Sequence, residues 1–262
     1  MTKEKLMGNQ SLIRGLRLLD ILSDFPNGCP LAKLADISGL NKSTVHRLLQ
    51  GLQSEGYVKP ATTSGSYRLS IKCLSIGQKM LTSMNIIHVV SPYLEQLNLT
   101  LGETVNFSQR EEDKAIMIYK LEPTHGMLKT RAYIGQHIQL YCSAMGKLYL
   151  AYPKKADNLS DYWQSHQPVI QPLTKNTITQ LDQMEAELEA IRENQFAMDK
   201  EENEIGVVCI ACPIFDSFHQ VDYAVSVSMS TYKLKKIGID FFLKEIRKTA
   251  LAISQELGYA ER

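Results

Sequence analysis

The sequence predicts an α+β protein: a winged helix-turn-helix, then an antiparallel sheet flanked by helices. Three observations lead there. Apolar residues at helical spacing, punctuated by Gly, Pro and Asn, fill the start of the chain. Alternating strand patterns dominate its second half. The charge is divided between the two parts: residues 1–84 hold 11 Lys+Arg against 5 Asp+Glu, net +6, and residues 85–262 hold 18 against 23, net −5, within a chain of net charge +1. A basic head on an acidic body points to a polyanionic partner for the head alone.

At 262 residues the chain is comfortable as two domains. It lacks any apolar run near the roughly 20 residues that cross a bilayer. Its start, "MTKEKLMGNQ", has no apolar secretion core. A soluble cytoplasmic protein is the expectation. Five scattered cysteines, an odd number, do not suggest a disulfide framework.

In "SLIRGLRLLDILSDF" Ser11 can cap a first helix, with Leu12, Leu16, Leu19 and Leu22 as its apolar row. "FPNGCP" breaks it, and "PLAKLADISGL" starts a second helix with Pro30 at the first helical position and an apolar face of Leu31, Leu34, Ala35 and Ile37. Ser38-Gly39 turns the chain. Asn41 is a favoured cap for a third helix ending near Gly56, with Val45, Leu48, Leu49 and Leu52 as its buried stripe. In "YVKPATTSGSYRLS" a polar turn separates Tyr57-Val58 from Tyr67-Arg68-Leu69, a two-stranded wing.

The second helix of such a pair lays its N-terminal residues in the DNA major groove. Ser43, Thr44 and His46 can reach base edges or phosphate, Arg47 can grip a guanine bidentately, and Lys42 suits phosphate. Arg14, Lys59 and Arg68 are candidates for backbone contacts, and Arg17 is expected to be a surface charge or a partner for Asp20 or Asp24. An ordinary solvated helix face is the bland alternative. Turn chemistry, wing and charge together favour DNA.

"LSIKCLSIGQKMLTSMN" reads as a helix whose small and apolar face (Leu74, Gly77, Met80, Leu81, Met84) suits a partner helix. A helix over 86–101 follows, broken or kinked near Pro92. Strands are expected in "TVNFSQR", "KAIMIYKLE", "LKTRAYI", "VVCIACPIF" and "VDYAVSVSMS", the last two joined as a hairpin across "DSFHQ". Helices are expected in "SAMGKLYLAY", around 155–166 and 178–194, and in "FFLKEIRKTALAISQELGY".

The body offers little catalytic chemistry. Cys209 and Cys212 are three apart in a strand and point to opposite faces, so they do not chelate one metal. "EENE" at 201–204 reads as a solvated acidic loop, and the six histidines form no metal-binding pattern. No catalytic residue, metal or cofactor is expected. An enzyme using Cys209 or Cys142 as nucleophile is the rival reading, and it lacks a recognisable base. Ser143 can cap a helix whose first amides, Ala144 and Met145, suit a carboxylate. Ser226 and Ser228 share one strand face beside Cys209, although polar residues of an alternating strand ordinarily face water.

"SLIRGLRLLDIL", "GLNKSTVHRLLQGLQSEGYV" and "YRLSIKCLSIGQKML" resemble the winged helix-turn-helix of IclR-type bacterial transcription regulators, and the likeness runs from Gln10 to Gly258. It implies a DNA-binding domain over 1–72, a connecting helix over 73–85 and a GAF-like effector-binding domain over 86–262. It implies a homodimer on double-stranded operator DNA, with family members also pairing dimers into tetramers, and no membrane partner. For members that sense a small carboxylic acid, the ligand positions match Ala144, Met145, Asp199, Cys209, Ser226 and Ser228, with Met127 and Thr130 as walls. Ala144 stands where the family often has Gly, and Thr130 where it has a larger apolar residue. Both departures fit a more polar ligand such as a sugar acid. Arg131 can add a charge to the pocket, but as the alternating neighbour of Thr130 it is expected to face the other side.

Overall fold

The computed structural model describes residues 9–83, 85–111, 114–123, 130–154 and 158–260. The chain forms two compact units, Met1–Met84 and Asn85–Arg262.

In the first unit α1 (Gln10–Ser23) is capped by Asn9, whose side chain accepts from the amides of Ser11 and Leu12. Ser11 is therefore inside the helix, not its cap. The buried row is Gly15, Leu18 and Leu22, while Leu12 and Leu16, expected in the core, are 60% and 52% exposed. The helix carries two adjacent apolar rows of equal spacing, and only tertiary contact chooses between them. β1 (Cys29–Pro30) leads into α2 (Leu31–Ser38), so Pro30 precedes the helix instead of opening it. Leu34 and Ala35 are buried, and Ile37 is exposed. Gly39 closes α2 at φ 68°, a left-handed conformation that favours glycine.

α3 (Lys42–Ser54) begins at Asn41, whose Oδ1 accepts from the Thr44 amide at 2.9 Å. Val45 and Leu49 are fully buried, with Leu48 and Leu52 half-buried beside them. β2 (Val58–Pro60) and β3 (Ser66–Leu69) form the wing, and β1 adds a third strand in the order β1-β3-β2. Two residues, one of them proline, carry too little pattern for that strand to be expected. α4 (Ile71–Ser83) ends the unit, with Leu74 63% exposed.

The second unit opens with α5 (Asn85–Leu101), which contains Pro92 and ends at Gly102, φ 69°. Its sheet comprises β4 (Thr104–Glu111), β5 (Lys114–Leu121), β6 (His137–Ile138), β7 (Ala197–Lys200), β8 (Val207–Phe215) and β9 (Val221–Ser230). The order is β6-β5-β4-β9-β8-β7, antiparallel throughout. The helices are α6 (Ala144–Ala151), α7 (Leu159–His166), α8 (Leu181–Asn194), α9 (Thr231–Ile237) and α10 (Ile239–Glu256). α5 and α10 pack together over one sheet face; α6, backed by α8, covers the other. The face under α6 is built from small side chains, among them Ala115, Ala197, Ala211 and Ala224. The opposite parity carries Val105, Phe107, Val225, Val227 and Met229.

Of the strand expected in "LKTRAYI", Leu128 and Lys129 lie outside the described residues and the described part forms no strand. Residues 130–134 are irregular, so the alternation that sent Arg131 away from Thr130 does not apply. No described helix is long and apolar enough to cross a membrane.

Candidate functional site

The N-terminal turn of α3 presents Lys42, Ser43, His46 and Arg47 to solvent, with Thr44 half-buried. The Ser43 hydroxyl donates to Asn41 Oδ1 at 3.0 Å, which leaves its lone pairs for an incoming donor. Arg14 and Arg17 are exposed on α1. On the wing Lys59 and Arg68 are direct cross-strand partners, Arg68 being half-buried with its Nε unpartnered. Like charges directly opposite one another are destabilising in a sheet unless an anion lies against them.

The second unit holds a cavity of about 560 Å³, open to solvent on one side, between the α6 N-terminus and the sheet. Thr130, Ala144, Met145, Asp199, Cys209, Ser226 and Ser228 all line it. Met127 lies outside the described residues. Arg131, expected elsewhere, also lines the cavity, because its segment is irregular. Ser143 caps α6: its hydroxyl accepts from the Gly146 amide at 3.1 Å and donates to the Gln139 carbonyl at 2.6 Å. Gly146 is required by space. A Cβ there would stand 2.4 Å from Leu140 Cα and 2.6 Å from two carbonyl oxygens.

Across the sheet runs one connected polar row. Asp199 on β7 pairs with Cys209 on β8, and Cys209 with Ser228 on β9. The Cys209 thiol and Ser228 hydroxyl lie 3.1 Å apart. Asn106 on β4 donates through Nδ2 to Ser228 at 3.0 Å and to Ser226 at 3.4 Å. Ser226 and Ser228 are 2% and 3% exposed, so they face the cavity and not bulk water. Asn106, also 3% exposed and lining the cavity, keeps a buried Oδ1 without a partner, as does the Thr130 hydroxyl. Asn106 was missed in the sequence. Its only signal is an amide at the inward parity of "TVNFSQR".

The 201–204 loop is not simply a solvated acidic one. Glu202 is 3% exposed and accepts from Lys147 Nζ at 2.6 Å, while Lys147, fully buried, also pairs with Glu187 on α8 at 2.8 Å. Glu204 and Asn203 line the cavity. The Thr174 and Thr177 hydroxyls donate to the carbonyls of Glu201 and Glu202, both at 2.6 Å, and Thr174 itself lines the cavity. Asp199 Oδ1 accepts from the amides of Glu202 and Asn203 at 2.7 and 3.4 Å. Burial nevertheless pushes its carboxyl up to about 7. Burial likewise pushes the Cys142 and Cys209 thiols up to about 12, the reverse of what a cysteine nucleophile needs.

A winged helix-turn-helix with an exposed polar helix face, in one chain with a cavity-bearing sheet unit, defines the class of a DNA-binding regulator. Comparison with known proteins agrees. The model of the IclR helix-turn-helix domain matches residues 11–61, and that of the bacterial transcriptional regulator IclR C-terminal region matches 78–255. An HTH-type transcriptional regulator of Haemophilus influenzae is 74% identical over 99% of this chain and 97% of its own. The DNA-binding transcriptional repressor YiaJ of Escherichia coli is 62% identical over 99% and 92%. The crystal structure of the transcriptional regulator YaiJ, 61% identical, aligns with 67% of this chain and 97% of its own at a TM-score of 0.65. The chain belongs to the IclR family of bacterial DNA-binding transcriptional regulators, a family of regulators and not of enzymes.

Proposed function

We propose that this protein is a transcriptional repressor of a sugar-acid catabolic operon, released or retained on its operator by a small carboxylate metabolite. The observation that carries the reading is the pairing of an open helix N-terminus with buried, unpartnered polar atoms in one cavity. The Ala144 and Met145 amides at the α6 start suit a carboxylate. The Asn106 Oδ1 and the Thr130 hydroxyl ask for hydrogen-bonding groups elsewhere on the same ligand. An apolar acid would leave both without partners. The likeness to the repressor YiaJ supports repression; the operon class is proposed from the sequence's own resemblance, within the family, to the regulator of 2,3-diketo-L-gulonate catabolism.

Two recognition helices of a homodimer, or of a dimer of dimers, would read half-sites about one helical turn apart. The domain over 1–72 would grip DNA, the helix over 73–85 would carry the coupling, and 86–262 would sense the metabolite. The metabolite shifts DNA binding only by its differential affinity for the two states.

The test is a thermal-shift screen of sugar acids and short oxo-acids, followed by operator binding with each hit. A sugar acid should raise Tm and change operator affinity, and Ser226→Ala should reduce both effects. Stabilisation by no acid in the screen, or an unchanged response in Ser226→Ala, would reject the assignment.

A further inference from the structure

We propose that an anionic effector enters this cavity together with one proton, which resides on Asp199 and is donated as a hydrogen bond to a ligand oxygen. The inference rests on the carboxylate reading above and adds the protonation state of the occupied site.

The geometry leaves half of this carboxyl for a ligand. Asp199 is 3% exposed on β7 and lines the cavity. Its Oδ1 is used by the amides of Glu202 and Asn203. Its Oδ2 takes no donor from the described residues.

The charges packed against it do not balance. Its own loop brings Glu202 against it, and Glu204 lines the same cavity. β8 brings the Cys209 thiol, and the turn before α6 brings Cys142. α6 brings one cation, Lys147, which is already shared between Glu202 at 2.6 Å and Glu187 on α8 at 2.8 Å. Arg131 and His137 line the cavity from the 130–138 segment without a contact to Asp199. Three carboxylates thus draw on one buried ammonium. An anion added to that cavity meets an ionised Asp199 as an opponent. It meets a protonated Asp199 as a donor, since the neutral acid carries an O–H.

The proton comes from water or buffer, settles on Oδ2, and no covalent bond to carbon forms or breaks. Because burial already raises this carboxyl to about 7, taking up the proton costs little near neutrality.

The experiment is calorimetric titration of the full-length chain with D-gluconate, D-galacturonate and glyoxylate at about pH 6 and about pH 8, in buffers of differing ionisation enthalpy. For at least one acid, Kd should be about tenfold lower at the acidic pH, as the protonated fraction of a group titrating near 7 changes about tenfold across that range. Roughly one proton should be taken up per ligand at the alkaline pH. In Asp199→Asn the ratio of the two Kd values should fall to about one, and in His137→Gln it should persist whatever the absolute affinity. Equal affinity at both pH values with no proton uptake would overturn the linkage alone. So would a ratio that survives Asp199→Asn or vanishes in His137→Gln. The wild-type proton count keeps the proposal testable should Asp199→Asn fail to fold. Absence of binding by all three acids at either pH would overturn the carboxylate reading, and the linkage with it.

Discussion

The side-chain amide of Asn106 donates to the Ser228 hydroxyl at 3.0 Å and so joins the two central strands of the sensor sheet on the face beneath α6. The same amide leaves its oxygen buried and unpartnered, pointing the row's hydrogen-bonding capacity at the cavity. Asn106→Ala should leave operator binding in the absence of metabolite unchanged. It should weaken binding of the best sugar acid from the screen by about tenfold or more, the cost of roughly one to two hydrogen bonds. Ligand-dependent Tm shifts measured across a concentration series check this.

Arg47 stands exposed one turn into α3. Arg47→Ala should lower affinity for specific operator DNA by roughly 1–3 kcal/mol while sparing nonspecific binding and the metabolite-induced Tm shift. Gel-shift titration against operator and scrambled duplex separates the two. Equal loss on both duplexes would assign Arg47 to phosphate.

Lys59 and Arg68 face each other across the wing. If phosphate relieves their repulsion, Lys59→Ala should reduce the slope of log affinity against log salt by about one, uniformly across sequences. The free protein should be no less stable, since one of two opposed cations is gone. Operator titrations at a series of salt concentrations, with a melting curve of the free variant, test both halves.

Gly146 has no room for a methyl group, because the atoms a Cβ would meet are backbone and cannot swing away. Gly146→Ala should cost about 1–3 kcal/mol and displace the start of α6. Loss of ligand response at temperatures where the variant is still folded, read by circular dichroism and thermal shift together, is the expected result.

Lys147 is fully buried between Glu187 and Glu202. Lys147→Met leaves Glu202 buried without its cation and should cost about 3–5 kcal/mol in urea unfolding, while adding Glu187→Gln and Glu202→Gln should recover most of it. Burial already raises the Glu202 carboxyl above its ordinary value, with Lys147 opposing. A carboxyl raised in the folded state binds protons more tightly there than when unfolded. Stability of Lys147→Met should therefore rise as pH falls through the folded-state value of Glu202. A flat profile would mean that Glu202 finds another partner.

Much of this was legible in the residues, for reasons that also mark where legibility ends. Asn41, the Val45–Leu52 stripe and the two long strands β8 and β9 declare themselves through local chemistry and period. Strands β1, β6 and β7 are two to four residues long and exist only because a neighbour completes their hydrogen bonds. The exposed Leu12 and Leu16 share their helical spacing with the buried Leu18 and Leu22, so burial could not be assigned without the partners. The eight expected ligand positions came together only through a family pattern, capping and strand parity having offered Ala144, Met145, Cys209, Ser226 and Ser228; seven of the eight line the cavity, and Met127 lies outside the described residues. Arg131, Asn203 and Glu204 escaped because irregular backbone obeys no alternation. The buried Lys147 was invisible for a related reason: its two acids lie 40 and 55 residues away in the chain.

At the far end of α6 a buried arginine meets the last carbonyls of the helix. Arg110, 8% exposed, donates to the carbonyls of Tyr149 and Tyr152 at 3.1 and 2.8 Å, so the negative pole of this helix is neutralised inside the protein while its positive pole opens on the cavity. Under the proposed function an anion held there would be attracted by fixed dipoles of the fold, whereas the helix-turn-helix and wing would meet DNA through exposed cations. On the proposed function, ionic strength would then act mainly on one half of the molecule: an osmotic upshift would loosen the grip on the chromosome more than it disturbs the reading of a metabolite.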